Sequence, residues 1–549
     1  MFQAVSVSIS LRTMAGTPGI RPISEPQAPR RLLHDNLLCW GASAQGRSRR
    51  ALLVDGQAYS YGELIDAARR MAGTLLRSGI RRGDRVAIYV DNSWPCVVSI
   101  YATLIAGGAF VLIHSQTKAE KLEFILKDCG ARVLITDGHL AEIYRVALAS
   151  LEHAPELICA GRHESSTESF DAAIGESREL AAAVPIISLD LAALIYTSGS
   201  TGTPKGVMHT HQSMMFAIGS LIEYLRLGPQ ERILCVLPLS FDYGLYQLLM
   251  SVTLGATLIL EKSFTFPAHV YERVADEQVT VFPGVPTIFA TLLAAHRRGR
   301  LSFPSVTRVT STAAALPDEF TVGLGEVFPN ALIFKMYGLT ECKRVSYLEP
   351  ELLEAKPGSV GRAIPGTEVY LLTAEGTPVP PGGTGILHVR GAHVMAGYWE
   401  RPDLTEKMLR PGRLPGERVL CTQDLFRMDA DGFLYFIGRT DDIIKTRGEK
   451  VSPVEVENAL HRITGLREAA VIGVPHPVLG EAVLAFVVAD PDAGLTERSI
   501  RAHSTALLEN YMVPTAVVLC HSLPRGSNGK VDKQRLLAEA APASLLEIL

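Results

Sequence analysis

The chain has 549 residues, 47% of them apolar, which exceeds one ordinary core and predicts two or more domains. A formal charge of −4 creates no basic field for nucleic acid or an anionic membrane, so small molecules are the expected partners. Eight cysteines without a C-x-x-C pair argue against a disulfide framework or a zinc site and suit a reducing cytoplasm, and no apolar run reaches the roughly 20 residues of a membrane span.

Residues 1–30, rich in Ser, Pro and Arg and lacking an apolar signal core, read as a disordered leader with an upstream start ahead of Met14. Folded sequence begins near Leu32. Ser60-Tyr-Gly-Glu63 has the S-x-x-E pattern of a helix start, and Leu64, Ala67, Ala68, Met71 and Leu75 recur at helical spacing until Gly79. Strands at 84–90, 110–113 and 132–136 then alternate with helices at 97–106 and 118–129, which predicts α/β layers around largely parallel sheets. Residues 161–185 read as a polar connector. An apolar strand at 191–195 leads into a glycine-punctuated loop, followed by a helix at 212–225, a strand at 232–238 and a further unit to 260. Strand-to-loop transitions are expected at 281–289 and 308–312. Short apolar stretches at 367–394, separated by Gly-Thr, Pro-Pro-Gly-Gly and Arg-Gly, predict antiparallel structure in a barrel-like subdomain. From Asp441 onward, helices at 453–463 and 495–508 and strands at 469–474 and 482–489 predict a small separate α+β domain, 441–549, after a large domain spanning 31–440.

The loop, Tyr196-Thr-Ser-Gly-Ser-Thr-Gly-Thr-Pro-Lys-Gly-Val207, suits phosphate. Gly199, Gly202 and Gly206 let backbone N–H groups approach an anion, while Thr197, Ser198, Ser200, Thr201 and Thr203 add hydroxyls and Lys205 a charge. It is not a Walker loop, because Pro204 precedes Lys205 and Gly206 follows it. His209 and His211, two residues apart with no carboxylate or cysteine nearby, read as structural histidines rather than a ligand pair.

The loop closely resembles the signature of the adenylate-forming superfamily of acyl-CoA synthetases, luciferases and peptide-synthetase adenylation domains. Further stretches resemble that family's signatures in its order. Tyr337-Gly338-Leu-Thr340-Glu341 offers an aromatic face to a nucleobase, a hydroxyl to a phosphate and a carboxylate able to hold Mg²⁺. Asp424 resembles the aspartate that grips both ribose hydroxyls, with Arg439 its companion, although the family more often has Gly where Gln423 stands. Lys530, in Leu523-Pro-Arg-Gly-Ser-Asn-Gly-Lys530, resembles the catalytic lysine. The resemblance implies a small domain that swings about Asp441, with Gly448 in the thiol channel. It implies ATP, Mg²⁺ and either coenzyme A or the phosphopantetheine of a separate carrier protein as reactants.

For the acid, Phe241-Asp242-Tyr243 falls where many acyl-CoA synthetases carry a His-containing gate and where adenylation domains carry Phe-Asp. Asp242 therefore either pairs with a substrate amine or caps the following helix. The segment Ser311-Thr312-Ala313-Ala-Ala315 stands where the family has a glycine-rich pocket border, and its methyl groups would narrow the pocket. The leading expectation is a coenzyme A ligase. The alternatives are a stand-alone enzyme loading an amino, imino or aryl acid onto a carrier and, from another class, a non-catalytic nucleotide sensor.

Overall fold

The computed structural model describes residues 30–540 except 162–167, 176–179, 181, 199–203, 313–315, 441, 447–448, 477, 509 and 527–529. The described residues from Arg31 onward form one compact unit, with four sheets among them.

Local signals decide where the helices begin. Ser60 Oγ accepts the Glu63 amide while the Glu63 carboxylate accepts the Ser60 N–H, and this capping box starts helix Tyr61–Arg77. Its expected stripe is in the core, with Leu64, Ala68, Met71 and Leu75 at most 1% exposed, and the chain leaves the helix through Gly79 at φ +80°. Helix Trp94–Ile105 begins three residues earlier than periodicity indicates, because Ser93 caps it and Pro95 fits the first turn, where no N–H is needed. Helix Pro286–Gly299, where only a loop is expected, also starts on a proline. The 161–185 connector includes strand Glu168–Ser169 and helix Phe170–Gly175, too short to show a period; Phe170 and Ala173 bury its inner face.

An eight-stranded sheet runs, edge to edge, from Gly397–Tyr398 through Pro204–Thr210, Leu191–Ser198, Ala109–Ile113, Arg85–Tyr89, Val133–Asp137 and Glu156–Ala160 to Glu168–Ser169. Its central strands are parallel, and Ala109–Ile113 is buried along its whole length, as a strand covered on both faces must be. A nine-stranded sheet carries Arg232–Cys235, Val281–Gly284, Arg308–Ser311 and Leu332–Tyr337 as parallel neighbours, with Ser346–Leu348 turning back antiparallel beside the last. The expected antiparallel segment is a five-stranded sheet around the long strand Arg418–Met428, whose neighbours are Thr384–Arg390, Leu409–Pro411 and Leu434–Arg439.

The fourth sheet joins Ile444–Thr446, Glu449–Val451, Leu466–His476, Gly480–Ala489 and Ala516–Leu519, with helices Pro453–His461 and Glu497–Leu507 nearby in the chain. It has its own apolar clusters, one around Val456, Val471 and Ile500 and another around Leu484, Leu523 and Leu536. No helix among the described residues is long and apolar enough to cross a membrane.

Removing the Ser60 hydroxyl orphans the Glu63 amide. Ser60→Ala is therefore expected to cost about 1 kcal/mol and to speed amide exchange in the first turn of helix Tyr61–Arg77, read by denaturant titration and hydrogen exchange.

Candidate active site

The strand Leu191–Ser198 lies parallel to Ala109–Ile113 and pairs antiparallel with Pro204–Thr210, so its C-terminal end lies at the usual ligand edge of such sheets. Gly199, Ser200, Thr201, Gly202 and Thr203 lie outside the described residues. Their flanks are placed: Thr197 sits opposite Lys205 in the ladder, and Lys205 Nζ is 5.7 Å from the centre of the Tyr398 ring. His209 and His211 diverge. His211 Nδ1 accepts the Leu33 N–H, whereas His209 is buried beside Lys343 and His393 and held neutral chiefly by burial.

Tyr337 ends its strand, packed edge-on to Phe426 at 4.8 Å and tilted 28° from the plane of Phe436 at 6.0 Å, and its hydroxyl donates to Asp424 Oδ2. Asp424 faces Arg439 across the ladder, with Arg439 Nη1 3.7 Å from Oδ1. Oδ1 is buried and has no hydrogen-bond donor among the described residues, an arrangement that fits a ligand hydroxyl. Burial pushes the Asp424 carboxyl up from its ordinary pKa, against the opposing pull of the Tyr337 hydroxyl and of Arg439 and Lys530.

Gln423 shows why glycine is favoured at its position. Its φ is +61°, in the left-handed region, at an irregularity where Ile386 pairs with Leu425 but His388 pairs with Cys421. The two extra residues are accommodated by a bulge, which turns Asp424 toward Tyr337, and a non-glycine residue adopts that backbone at a cost of about 1 kcal/mol. Thr422 anchors the bulge by donating to the Leu387 carbonyl at 2.9 Å.

Glu341 Oε1 accepts the Tyr398 hydroxyl at 2.7 Å, and Thr340 precedes it on the same turn. Lys530 comes from the fourth sheet's side of the chain, on a hairpin closed by the Arg525–Val531 bridge and by the Gly526 N–H donating to the Lys530 carbonyl at 2.9 Å. The residue keeps exposed surface, yet enough protein surrounds its ammonium that desolvation lowers its pKa; Asp424 and Glu341 oppose that shift and Arg439 adds to it. The structure thus brings Tyr337, Glu341, Asp424, Arg439 and Lys530 together. Ala313, Asp441 and Gly448 lie outside the described residues.

Asp242 is the first residue of helix Asp242–Leu254, and its cap position is Phe241, which corrects the capping alternative. Its carboxylate has a different partner: Lys343 Nζ donates to Asp242 Oδ1 at 2.7 Å, and Lys343 is only 1% exposed. Sequence reasoning passed over Lys343 and Arg344, although two adjacent cations so soon after Glu341, with only Cys342 between, were a visible signal. Tyr243 donates to the Thr310 carbonyl at 2.6 Å, Thr312 is buried, and the Phe241 ring lies 5.4 Å from His114. Beyond Phe241, a cavity of about 290 Å³ opens between the two large sheets, lined by Asn92, His114, Ser240 and Lys262 among others.

Comparison with known proteins identifies the family. Residues 40–399 match the model of the AMP-binding enzyme family, and residues 455–530 match that of the AMP-binding enzyme C-terminal domain. Feruloyl-CoA synthase from Amycolatopsis sp is 34% identical over 87% of this chain and 93% of its own length. Gramicidin S synthase 2 from Aneurinibacillus migulanus is 29% identical over 88% of this chain, which spans 10% of that much longer protein. A solved anthranilate CoA ligase in complex with anthranoyl-AMP superposes with a TM-score of 0.86 at 26% identity, covering 93% of this chain and 98% of the other. The chain belongs to the AMP-binding enzyme family. Its mixed α/β architecture is that of the adenylate-forming superfamily, of which the coenzyme A ligases and the adenylation domains are branches.

Because the folded pKa of Asp424 is raised, the native state holds this proton more tightly than the unfolded chain does. The group's contribution to stability is therefore fullest at low pH and is lost as pH rises through the folded pKa. Asp424→Asn is expected to melt higher than the parent near neutral pH, with the difference shrinking as pH falls toward the ordinary carboxylate range, while binding nucleotide more weakly. Calorimetry across pH and nucleotide titration check both halves.

Proposed function

We propose that the chain is an ATP-dependent carboxylic acid–thiol ligase: it adenylates an acid, releasing pyrophosphate, and then transfers the acyl group to the thiol of coenzyme A. The observation that carries this reading is Lys530 standing within electrostatic reach of Asp424 and Glu341, although it is more than a hundred residues later in the chain than Asp424.

In the first step the acid's carboxylate oxygen attacks the α-phosphorus of ATP and the bond to the β-phosphate oxygen breaks. Two anions must approach each other while charge grows on pyrophosphate, so the barrier is largely electrostatic. Fixed cations answer it. Lys530 bridges the carboxylate and the α-phosphate, Lys205 and the 197–203 turn hold the outer phosphates, Asp424 with Arg439 positions the ribose, and Tyr337 lies against the base. Mg²⁺ would be held by Glu341 together with phosphate oxygens, neutralising them; no group of three or more His, Cys, Asp or Glu that could hold a metal gathers among the described residues, so the phosphates would supply most of the ligands. In the second step a thiolate attacks the acyl carbon and AMP leaves with the bonding electrons. The cavity beside Phe241 is the candidate path for a pantetheine arm.

Loading of a carrier protein is the second reading, supported by the similarity to gramicidin S synthase 2. Its amino-acid form is disfavoured by Lys343, whose ammonium already occupies the Asp242 carboxylate that a substrate amine would need. A nucleotide sensor would not need Lys530 aimed at the phosphates. Since Lys530 and a thiol cannot attend the same carbon together, the small domain must move between steps, with Asp441 as its hinge and Gly448 entering the thiol channel.

Lys530→Ala should retain ATP binding and lose adenylation by roughly a hundred- to thousandfold, about 3 to 4 kcal/mol. Thioester formation from supplied acyl adenylate should persist, and equal loss in both half-reactions with an intact fold would reject the assignment. Asp441→Pro, by fixing φ near −65°, should spare pyrophosphate exchange and slow thioester formation; an unchanged overall rate would place the hinge elsewhere.

A further inference from the structure

The turn after Tyr337 doubles back tightly. Cys342 and Lys343 N–H groups both donate to the Leu339 carbonyl, at 3.1 and 2.7 Å, and the Val345 N–H donates to the Tyr337 carbonyl at 2.9 Å. A Cβ at Gly338 would come within 2.2 Å of the Lys343 carbonyl oxygen, and Lys343 itself has φ +67°. So much backbone constraint drives two cations into the interior: Lys343 is 1% exposed and Arg344 4%.

They are treated differently there. Lys343 is neutralised by Asp242 and lies 5.9 Å from the centre of the Tyr246 ring. Arg344 has no carboxylate within ion-pair distance among the described residues. Its Nη1 donates to the Lys343 carbonyl at 2.7 Å, its guanidinium carbon stands 5.0 Å from the centre of the Tyr243 ring, and its Nε has no acceptor. The groups around it are phenols, Tyr224, Tyr243 and Tyr246, and burial pushes the pKa of each upward, so none supplies a negative charge. The buried Tyr246 hydroxyl also lacks a hydrogen-bond partner among the described residues. A desolvated cation without an anion is unfavourable, and a carboxylate that receives the guanidinium and the Tyr246 hydroxyl relieves both deficits.

Resting on the ligase reading, we propose that Arg344 binds a second anionic group on the acid, so that the substrate is a short dicarboxylic acid. Tyr246 donates to the same group, and the Asp242–Lys343 pair positions the pocket without contributing net charge. The stem is short because Arg344 lies on the same tight turn as Thr340 and Glu341, which places the anchor close to the reacting carboxylate. An ammonium substituent is repelled.

Pyrophosphate exchange by the intact enzyme is measured with malonate, succinate, glutarate and adipate, each against the monocarboxylate of equal length, with γ-aminobutyrate as the cationic control. One dicarboxylate is expected to exceed its partner in kcat/KM by about a hundredfold, the scale of a buried charged hydrogen-bond pair, and γ-aminobutyrate to be inert. In Arg344→Met that ratio should collapse toward one, and Arg344→Lys should recover part of it. A parent enzyme that prefers the monocarboxylates or the amine overturns the proposal and leaves the ligase reading standing, even if Arg344→Met does not fold. A folded Arg344→Met variant with the ratio intact also overturns it. Absence of exchange with every acid of this panel overturns this inference, and the ligase reading falls with it only if aryl acids such as ferulate and anthranilate also give none.

Discussion

The hydrogen bond from the Tyr337 hydroxyl to Asp424 joins the last parallel strand of the nine-stranded sheet to the long strand of the antiparallel sheet. Asp424 is buried and Tyr337 half-buried, and each depends on the other: the phenol needs an acceptor and the carboxylate needs a donor where water is removed. Tyr337 could not pack beside Phe436, nor reach Asp424 where it faces Arg439, if the two sheets met at another register. The ligand-facing edge is therefore built by mutual desolvation of groups that separately would prefer solvent, at a cost in stability that is concentrated at this junction.

Much of this was legible in the chain. Alternation of apolar runs with helical stripes announced the parallel layers, the Ser60–Glu63 pair marked a helix start to the residue, and a long polar glycine word marked the strand edge. What escaped notice was encoded in single residues instead of periods. Prolines 95 and 286 set helix starts that hydrophobic spacing could not resolve, and helix Phe170–Gly175 is too short to complete two turns.

The site was read unevenly, for a physical reason. Residues that meet the nucleotide are named by what phosphate, ribose and base demand, and these demands do not vary with the acid. Residues that meet the acid answer to one substrate, and their meaning depends on partners far away in the chain. Asp242 read alone suggested either an amine or a cap; only folding discloses that Lys343, 101 residues later, holds it. Likewise Gln423 was an unexplained departure until its left-handed backbone identified it as a bulge position that glycine would fill without strain.

The turn closed by Gly338 carries a consequence for how such an enzyme can change. On the proposed reading Thr340 and Glu341 attend the nucleotide, and Lys343 and Arg344 reach the interior three residues on, all within a loop whose backbone is locked by contacts of 2.7 to 3.1 Å. Substrate choice and nucleotide use are thus mutationally linked: an insertion or a backbone shift that retuned one would disturb the other. Helix Asp242–Leu254 offers little relief, because residues 243–252 are buried, a Cβ at Gly244 would meet the Pro238 carbonyl oxygen at 2.3 Å, and Asp242 is paired with Lys343 of the turn itself. Change there is confined to exchanges that conserve volume and charge, and the turn is left nearly still.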